Sequence, residues 1–270
     1  MTELIKFQNV KLPKDNETIN KKLNYYEYGE KDAYPQYLIK LYKHSSNHSS
    51  MVDNIISRVV GSGFQSDNER DKQLIEKYKL NEWFNHAARQ LEIFGSFSTE
   101  IIWTPLHDYI NSFNSINIDR VRIGLLDDDT EEPTLFYYSS KFGDYKYLGR
   151  NKDIDILYKF DPSITSDNHQ LMYNFGLNRI GNDIYGRPDY SAGIPWIETD
   201  IQLPIYYMNL VHNNFMVSNI LYVPFQLDDK DREDFEKKMK QNFVGSENAS
   251  STMIVYGSGD GEIKLLNVNG

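Results

Sequence analysis

The sequence feature that most constrains the fold is a long stretch with almost no charge. Residues 191–217 contain only two charged side chains, Glu198 and Asp200, among many uncharged polar and aromatic ones. At about 1.5 Å per residue, a helix over this stretch would be roughly 40 Å long. Because it has neither a charged face for water nor a clean apolar face for one core, we expect protein to flank it on several sides. Pro195 suits the first turn of such a helix, whereas Pro204 should kink it or mark a restart.

The sequence before this stretch predicts two helical regions followed by a small sheet. The first helical region begins at Tyr34-Pro35, has a polar break at residues 45–50 and ends at Gly61-Ser62-Gly63. The second begins near Asp71 and ends at Gly95. Alternating β-branched and aromatic residues then predict the strands of an antiparallel sheet. These predicted strands cover residues 97–103, 116–126, 134–139, 146–148 and 154–160.

A compact module is predicted after the long stretch. Its strands are predicted at residues 218–223, 252–256 and 262–266. A helix is expected between the first two strands, because Asp228 and Asp229 suit its start and Gly245 suits its end. The sequence therefore predicts an α+β protein in which N-terminal helices and a small antiparallel sheet precede one long helix and a small βαββ module.

Composition narrows the classes of function. The formal net charge of −10 argues against a protein that wraps duplex DNA, because such surfaces are strongly basic. The sequence has no cysteine, which excludes disulfides, thiolate metal sites and cysteine nucleophiles. Its 20 tyrosines suit half-buried interface surfaces, although an AT-rich genome would also raise their number. Residues 1–10 lack the apolar core of a signal peptide, and residues 201–225 contain too many polar groups for a membrane span.

Little in the sequence is organised for catalysis. It has neither a Walker A loop nor a G-x-S-x-G elbow, and none of its six histidines forms an H-E-x-x-H pair. His44 and His48 could share a metal ion on one helix, but their serine- and asparagine-rich setting favours a polar face. The acidic run at residues 127–132 lacks the glycine and distal glutamate of an EF-hand, which favours a solvated turn. We therefore expect no enzymatic activity, no metal and no cofactor.

Several short motifs occur in a specific order along the chain. Tyr185-Gly186-Arg187-Pro188 precedes the long helix, Asn213-Asn214-Phe215 follows it, and Ile220-Leu221-Tyr222-Val223-Pro224 leads into the Asp-capped helix. Gly245-Ser246-Glu247-Asn248-Ala249 then precedes the next strand. This order resembles the portal proteins of tailed double-stranded DNA bacteriophages. Near the N-terminus, Tyr34-Pro35-Gln36-Tyr37-Leu38 is also similar to that family, so the resemblance covers roughly residues 25–266.

The resemblance implies a ring of typically twelve subunits at one capsid vertex, through which the genome is packaged and later ejected. It divides the chain into an N-terminal arm (1–30), a wing domain (31–190), a stem helix (191–217) and a clip domain (218–270). Ring closure by heterologous contacts is the expected geometry. The chain would then be a structural protein of the virion that is assembled in the host cytoplasm.

The resemblance also implies two sets of contact residues and a set of partners. The stem residues expected at the subunit interface are Tyr206, Tyr207, Asn209, His212 and Phe215. The clip residues expected to meet the packaging motor are Asp228, Asp229, Phe235, Met239 and Phe243. Expected partners are further copies of the chain, the terminase large subunit, head-completion or adaptor proteins, and the major capsid and scaffolding proteins. Double-stranded DNA would pass through without specific binding, and no membrane is involved.

Two points stay open at the level of sequence. Portal proteins usually continue with a second stem helix, a channel loop and a crown, whereas this sequence stops at Gly270; we therefore expect a fragment, or the product of a truncated or split gene. The alternative hypothesis is a monomeric carbohydrate- or peptide-binding module that uses its many tyrosines. That hypothesis predicts a concave aromatic cleft, and an enzyme would show convergent polar groups with shifted pKa values.

Overall fold

The computed structural model describes residues 17–127, 130, 132–142, 154–165, 167–176, 183–212, 219–223, 253–256 and 264–267. For Leu210, and for His212 and every described residue after it, the description covers the backbone alone. The chain divides into two compact units, residues 1–195 and 196–270. Both units combine helix and strand, and the α+β class predicted from the sequence is confirmed. The domain boundaries after residues 30, 190 and 217 stay predictions.

The first unit begins with a short hairpin and continues with helices. The hairpin strands are β1 (Thr18–Asn20) and β2 (Tyr25–Glu27), which pair antiparallel. The helices are α1 (Tyr34–His44), α2 (Ser46–Val60), α3 (Glu69–Lys77) and α4 (Leu80–Phe94). Each predicted helical region therefore contains two helices, and the hairpin was not predicted.

Local capping explains where the helices begin and end. The Ser45 side chain accepts a hydrogen bond from the His48 amide at 3.1 Å and so caps α2. The predicted polar break at residues 45–50 is therefore wrong beyond Ser45, because residues 46–50 lie within α2. Gly95 ends α4 as predicted, in the left-handed region at φ 73° and ψ 10°, where glycine has no steric cost. Gly61 ends α2, also as predicted.

The strands that follow α4 form one sheet. They are β3 (Phe97–Trp103), β4 (Ile110–Ile116), β5 (Val121–Ile123), β6 (Leu135–Tyr138), β7 (Asp155–Lys159) and β8 (His169–Asn174). Their order across the sheet is β4-β3-β8-β7-β6-β5. Neighbouring strands pair antiparallel except for β7 and β8, which are parallel. Ser98 in β3 lies opposite both Ile116 and Tyr173, which fixes the register of the three adjacent strands.

The sheet confirms some of the predicted strands and corrects others. β3 covers the predicted range 97–103, and β6 and β7 lie within two of the other predicted ranges. The predicted strand at 116–126 is too long, because residues 118–120 form a 3-10 turn before β5. β4 and β8 were not predicted. The predicted strand at 146–148 lies outside the described residues.

The core of the first unit lies between its helices and the sheet. α4 packs on β3 and β4, and α1 and α2 pack on α4. The largest fully buried aliphatic and aromatic side chains are Tyr25, Leu38, Leu41, Ile56, Ile101, Ile118, Val121, Ile123, Phe136 and Leu171. Each such side chain contributes about 1.5–3 kcal/mol by leaving water, so these residues hold the helices on the sheet.

A buried ion pair joins the sheet to the segment before α1. The Arg122 Nε donates to the Asp32 carboxylate, and the guanidinium lies 4.6 Å from the centroid of the Phe142 ring. Arg122 also donates to the backbone carbonyl of Val121 at 2.8 Å. Burial raises the pKa of the Asp32 carboxyl, and the adjacent Arg122 charge offsets part of that rise. Removal of either partner would leave an uncompensated charge in the core.

The second unit contains most of the long helix and a small sheet. The helix, α5 (Ile194–His212), starts with the last two residues of the first unit and continues through Pro204. The helix therefore does not restart at Pro204, and the other predicted outcome, a kink at that residue, stays a prediction. Of the residues described after α5, three strands form a sheet in the order β10-β9-β11: β9 (Asn219–Val223), β10 (Met253–Tyr256) and β11 (Lys264–Asn267). β9 pairs parallel with β10 and antiparallel with β11.

The three strands of this small sheet agree closely with the predicted module. Each overlaps one of the predicted strands at 218–223, 252–256 and 262–266. A parallel pair needs a crossover connection of a dozen or more residues, which the interval between β9 and β10 supplies. The helix predicted in that interval lies outside the described residues.

Candidate subunit interface

α5 has one side that is covered and one that is exposed. Ile194 and Ile201 are buried, and Ile197 and Ile205 are half-buried. These four isoleucines follow one another at intervals of three or four residues and so share one side of the helix. The sequence therefore contains an apolar stripe that its general lack of charge obscured.

α5 also exposes large apolar side chains, most of which lie away from the isoleucine stripe. Trp196 is 79% exposed, and the remaining members of this set are exposed by between 43% (Tyr206) and 60% (Met208). The full set of described side chains is Trp196, Leu203, Tyr206, Tyr207, Met208 and Val211. Single exposed apolar residues are normal, but several on one helix are typical of a surface that binds protein. We call this set the α5 face.

The structure places the predicted stem residues as follows. Tyr206 and Tyr207 belong to the α5 face, and their rings lie 5.7 Å apart in an edge-to-face arrangement. Asn209 is half-buried, and His212 is the last residue of α5. Phe215 lies outside the described residues, as do all of the predicted clip contacts: Asp228, Asp229, Phe235, Met239 and Phe243.

Sequence reasoning missed four members of the α5 face. Trp196, Leu203, Met208 and Val211 were not among the predicted contact residues, although they are large apolar residues in the low-charge stretch. Trp196 and Leu203 lie on the side of the helix opposite the isoleucine stripe, and that position was the signal that could have found them. The interface prediction instead followed tyrosine and the polar residues near the end of the helix.

The segment that leads into α5 is fixed by stacked tyrosines in the first unit. The Tyr28 and Tyr185 rings stack with centroids 4.0 Å apart and planes 7° apart. The Tyr28 hydroxyl oxygen lies 3.2 Å from the carbonyl oxygens of both Phe94 and Gly186, so its one hydrogen can be donated to either. Burial raises the pKa of Tyr28 and of Tyr185, so both phenols stay neutral donors. The start of the Tyr-Gly-Arg-Pro segment is thereby tied to the end of α4.

Two further contacts anchor the same segment. The Glu17 carboxylate accepts hydrogen bonds from the Ile184 amide at 2.7 Å and from the Tyr185 amide at 2.8 Å. The Tyr190 hydroxyl, a few residues before α5, donates to the carbonyl of Ile93 at 2.7 Å. The root of α5 is therefore held by side chains from both ends of the first unit.

Two glycines, Gly186 and Gly176, allow the backbone to approach itself closely at this root. A Cβ atom at Gly186 would lie closer than 3.0 Å to the Ser96 hydroxyl and to the carbonyl oxygens of Gly95 and Phe175. A Cβ at Gly176 would meet the same Gly95 carbonyl. Real Cβ atoms do not approach other heavy atoms this closely, so these positions cannot hold a side chain without a shift of the backbone.

A separate open cleft of about 480 Å³ lies on the sheet. It is lined by Glu100, Ile116, Tyr138, Asp155, Ile156, Leu157 and His169. The Glu100 carboxylate lies 3.1 Å from His169 Nδ1 and accepts a hydrogen bond from Asn114 at 3.0 Å. The carboxylate therefore links β3 to both neighbouring strands, β4 and β8, on an exposed surface.

The described part of the chain bears on metal binding and on membrane crossing. Within it, no group of three or more His, Cys, Asp or Glu side chains is arranged to hold a metal ion. None of the helices described there combines the length and the apolar character needed to cross a membrane.

Comparison with known proteins shows the fold. No family model and no curated protein matches the sequence. A chain in a structure of the virion of a native gene transfer agent particle is similar at a TM-score of 0.51 and 13% identity, over 87% of this chain and 61% of that chain. A chain in the neck of an empty gene transfer agent particle, computed with C6 symmetry, has the same score and identity and is covered over 62% of its length. The chain thus spans less than two thirds of these neighbours.

Proposed function

We propose that the chain is a subunit of a portal ring in a phage-like particle, with α5 as its stem helix. The observation that supports this most strongly is the α5 face, a set of exposed aromatic and aliphatic side chains on a helix whose isoleucines are already buried or half-buried. A soluble monomer gains nothing from this surface, whereas a neighbouring copy would remove it from water.

The size of the α5 face indicates how much it could contribute. Burial of the exposed half of one large apolar side chain contributes about 1 kcal/mol, so the six side chains together supply about 6 kcal/mol. Association costs about 4–15 kcal/mol in lost translational and rotational freedom. The α5 face alone therefore supports weak pairwise association, and a stable ring needs contacts with two neighbours and additional surface.

The comparisons support the proposal at the level of fold. The similar chains belong to structures of a virion and of a particle neck, and the neck was computed with sixfold symmetry. The order of sequence motifs from Tyr185 to Ala249 independently favours a portal. Sixfold symmetry is compatible with the twelve copies that the resemblance to portals implies, because six divides twelve.

The proposed subunit works by shape and assembly, without covalent chemistry. The ring would serve as the conduit for genome packaging and ejection at a capsid vertex. The region after α5 would meet the terminase large subunit and later the head-completion or adaptor proteins, and the capsid and scaffolding proteins would surround the ring. Twelve copies at −10 each carry a formal charge of −120, which disfavours tight binding of the DNA that passes through.

The tyrosines of the first unit bear on the alternative, a tyrosine-rich binding module. Tyr25, Tyr28, Tyr34, Tyr37 and Tyr185 are all buried. Their rings pack on one another and on core residues such as Phe142, with centroids 4.0–6.0 Å apart. These side chains stabilise the fold and do not line a cleft, so this observation favours the portal proposal.

The test changes the α5 face without adding negative charge. The double variant Tyr207→Lys/Met208→Lys places two cations at exposed positions of α5. We expect the weight-average mass from multi-angle light scattering to fall toward the 31.6 kDa monomer at concentrations where the unchanged chain is larger. Lysine lowers the net negative charge, so weaker association could not come from general repulsion between copies.

The matched control is Leu106→Lys. Leu106 is also a highly exposed apolar residue, but it lies in the turn between β3 and β4 of the first unit. We expect this variant to associate like the unchanged chain. Equal masses for the unchanged chain and the α5 double variant at every concentration would contradict the proposal.

A further inference from the structure

A second apolar stripe lies on α2, in the first unit. Met51, Ile55 and Val59 recur at four-residue intervals and are 67%, 45% and 52% exposed. Residues at this spacing lie above one another on one side of a helix. We call these three residues the α2 stripe.

The core of the first unit does not use the α2 stripe. The same helix buries Val52 and Ile56, which form the adjacent row of side chains. The apolar surface of α2 is therefore wider than its own unit covers. Two residues that follow α2 along the chain, Phe64 and Leu74, are also exposed apolar side chains.

The charge of α2 narrows the kind of partner. Its sequence contains two formally charged residues, Asp53 and Arg58. The Asp53 carboxylate is bound by Arg89 and by the Tyr42 hydroxyl, both at 2.7 Å, and Arg58 Nε donates to Asn54 at 3.0 Å. The helix therefore presents a nearly neutral apolar surface. A nucleic acid or an anionic membrane would require a cluster of basic residues, which α2 lacks.

The charge of the chain favours a second copy of it as the partner of the α2 stripe. Each copy carries a formal charge of −10, so two copies repel except where they meet through weakly charged faces. α2 provides such a face, with Arg58 as a single positive charge beside the stripe. Two acidic copies repel each other least where they meet through an apolar surface that carries little negative charge, and the α2 stripe is such a surface.

We propose that the α2 stripe is a contact surface between neighbouring copies of the chain, distinct from the α5 face. This inference rests on the proposed ring. In a ring with heterologous contacts, each subunit uses two different surfaces, one toward each neighbour. The α2 stripe therefore contacts a region of the neighbour other than the neighbour's own α2.

The first test compares two lysine substitutions on the same helix. Ile55→Lys puts a charge in the α2 stripe, and Ser57→Lys puts the same charge at an exposed position about 200° around the helix. Sedimentation velocity of the full chain should show that Ile55→Lys raises the dissociation constant between copies at least tenfold. Ser57→Lys should leave that constant within about twofold of the unchanged chain.

The second test uses the absence of cysteine. Met51→Cys creates the sole thiol of the chain, which can carry a maleimide-linked benzophenone. Photocrosslinking a mixture of ¹⁴N- and ¹⁵N-labelled protein, followed by mass spectrometry, should give mixed-isotope crosslinks from α2 to peptides outside residues 46–60. Crosslinks between two α2 helices would indicate a symmetric dimer and overturn the inference, as would the absence of any mixed-isotope crosslink.

The two proposals fail in different ways. If the unchanged chain associates and Ile55→Lys associates equally well, the α2 inference is wrong and the ring proposal stands. If the unchanged chain stays monomeric at every concentration, both proposals are overturned. If Ile55→Lys dissociates the copies while the α5 double variant does not, the α2 contact is supported and α5 is not the stem interface.

Discussion

At the residue scale, the junction before α5 depends on glycine for two different reasons. Gly95 occupies the left-handed region, which a side chain tolerates poorly. Gly186 is not in that region, and its requirement is steric: backbone carbonyls of Gly95 and Phe175 occupy the place where a Cβ would lie. A carbonyl group in a closely packed junction cannot move aside as the end of a flexible side chain can.

The Gly186 contact gives a direct prediction about stability. Gly186→Ala should lower the free energy of unfolding of the first unit by about 3 kcal/mol, because overpacking against backbone is relieved only by a backbone shift. The measurement is urea denaturation followed by circular dichroism. Gly193→Ala is the control, since no heavy atom lies within 4 Å of the Cβ position there. A Gly186→Ala variant as stable as the control would show that the close approach is absent in solution.

At the element scale, the Ser45 cap sets the residue at which α2, the helix that carries the α2 stripe, begins. The Ser45 side chain satisfies the His48 amide, one of the backbone donors that no helical carbonyl can reach. Ser45 also closes α1, where its amide donates to the Leu41 carbonyl at 3.1 Å. A single residue thus separates two helices that the sequence suggested were six residues apart.

Loss of the Ser45 cap should be measurable. Ser45→Ala removes the acceptor and should cost about 1 kcal/mol of the free energy of unfolding. Ser46→Ala changes the next, exposed serine within α2 and should cost less than about 0.5 kcal/mol. Urea titrations of both variants give the comparison. Equal costs for the two substitutions would mean that the Ser45 hydroxyl does not stabilise α2.

Elements with strong local signals were predictable, and those defined by their partners were not. β3 has alternating β-branched and aromatic residues, and its range was predicted correctly. β4 is rich in asparagine and serine, which disfavour strands, and it is extended because it pairs with β3 from Ser98 to Trp103. β8 carries a buried Gln170, whose amide bonds to the Asp161 carbonyl, so it lacks the apolar alternation of a typical strand.

The α5 face, too, could be predicted only in part from local sequence. The low charge of residues 191–217 was enough to predict the helix, whereas Tyr206 and Tyr207 were selected through the resemblance to portal proteins. The exposed Trp196 and Leu203 were missed, because their exposure depends on which side of α5 the isoleucines cover. Periodicity analysis within α5 would have found that stripe.

At the scale of the whole molecule, both proposed contact surfaces address the same electrostatic problem. A chain with a formal charge of −10 must associate through faces that carry little charge of their own. The α5 face and the α2 stripe meet this requirement, and they lie in different compact units of the chain. Copies with two such surfaces can form a closed ring, whereas a single surface limits them to pairs.

The central claim is that identical copies of this chain bind one another through α5. Native mass spectrometry of the 270-residue chain over a range of concentrations, at an ionic strength that screens its charge, tests it most directly. The account predicts species at multiples of 31.6 kDa that grow with concentration toward a closed ring. A single species of 31.6 kDa at every concentration would contradict it.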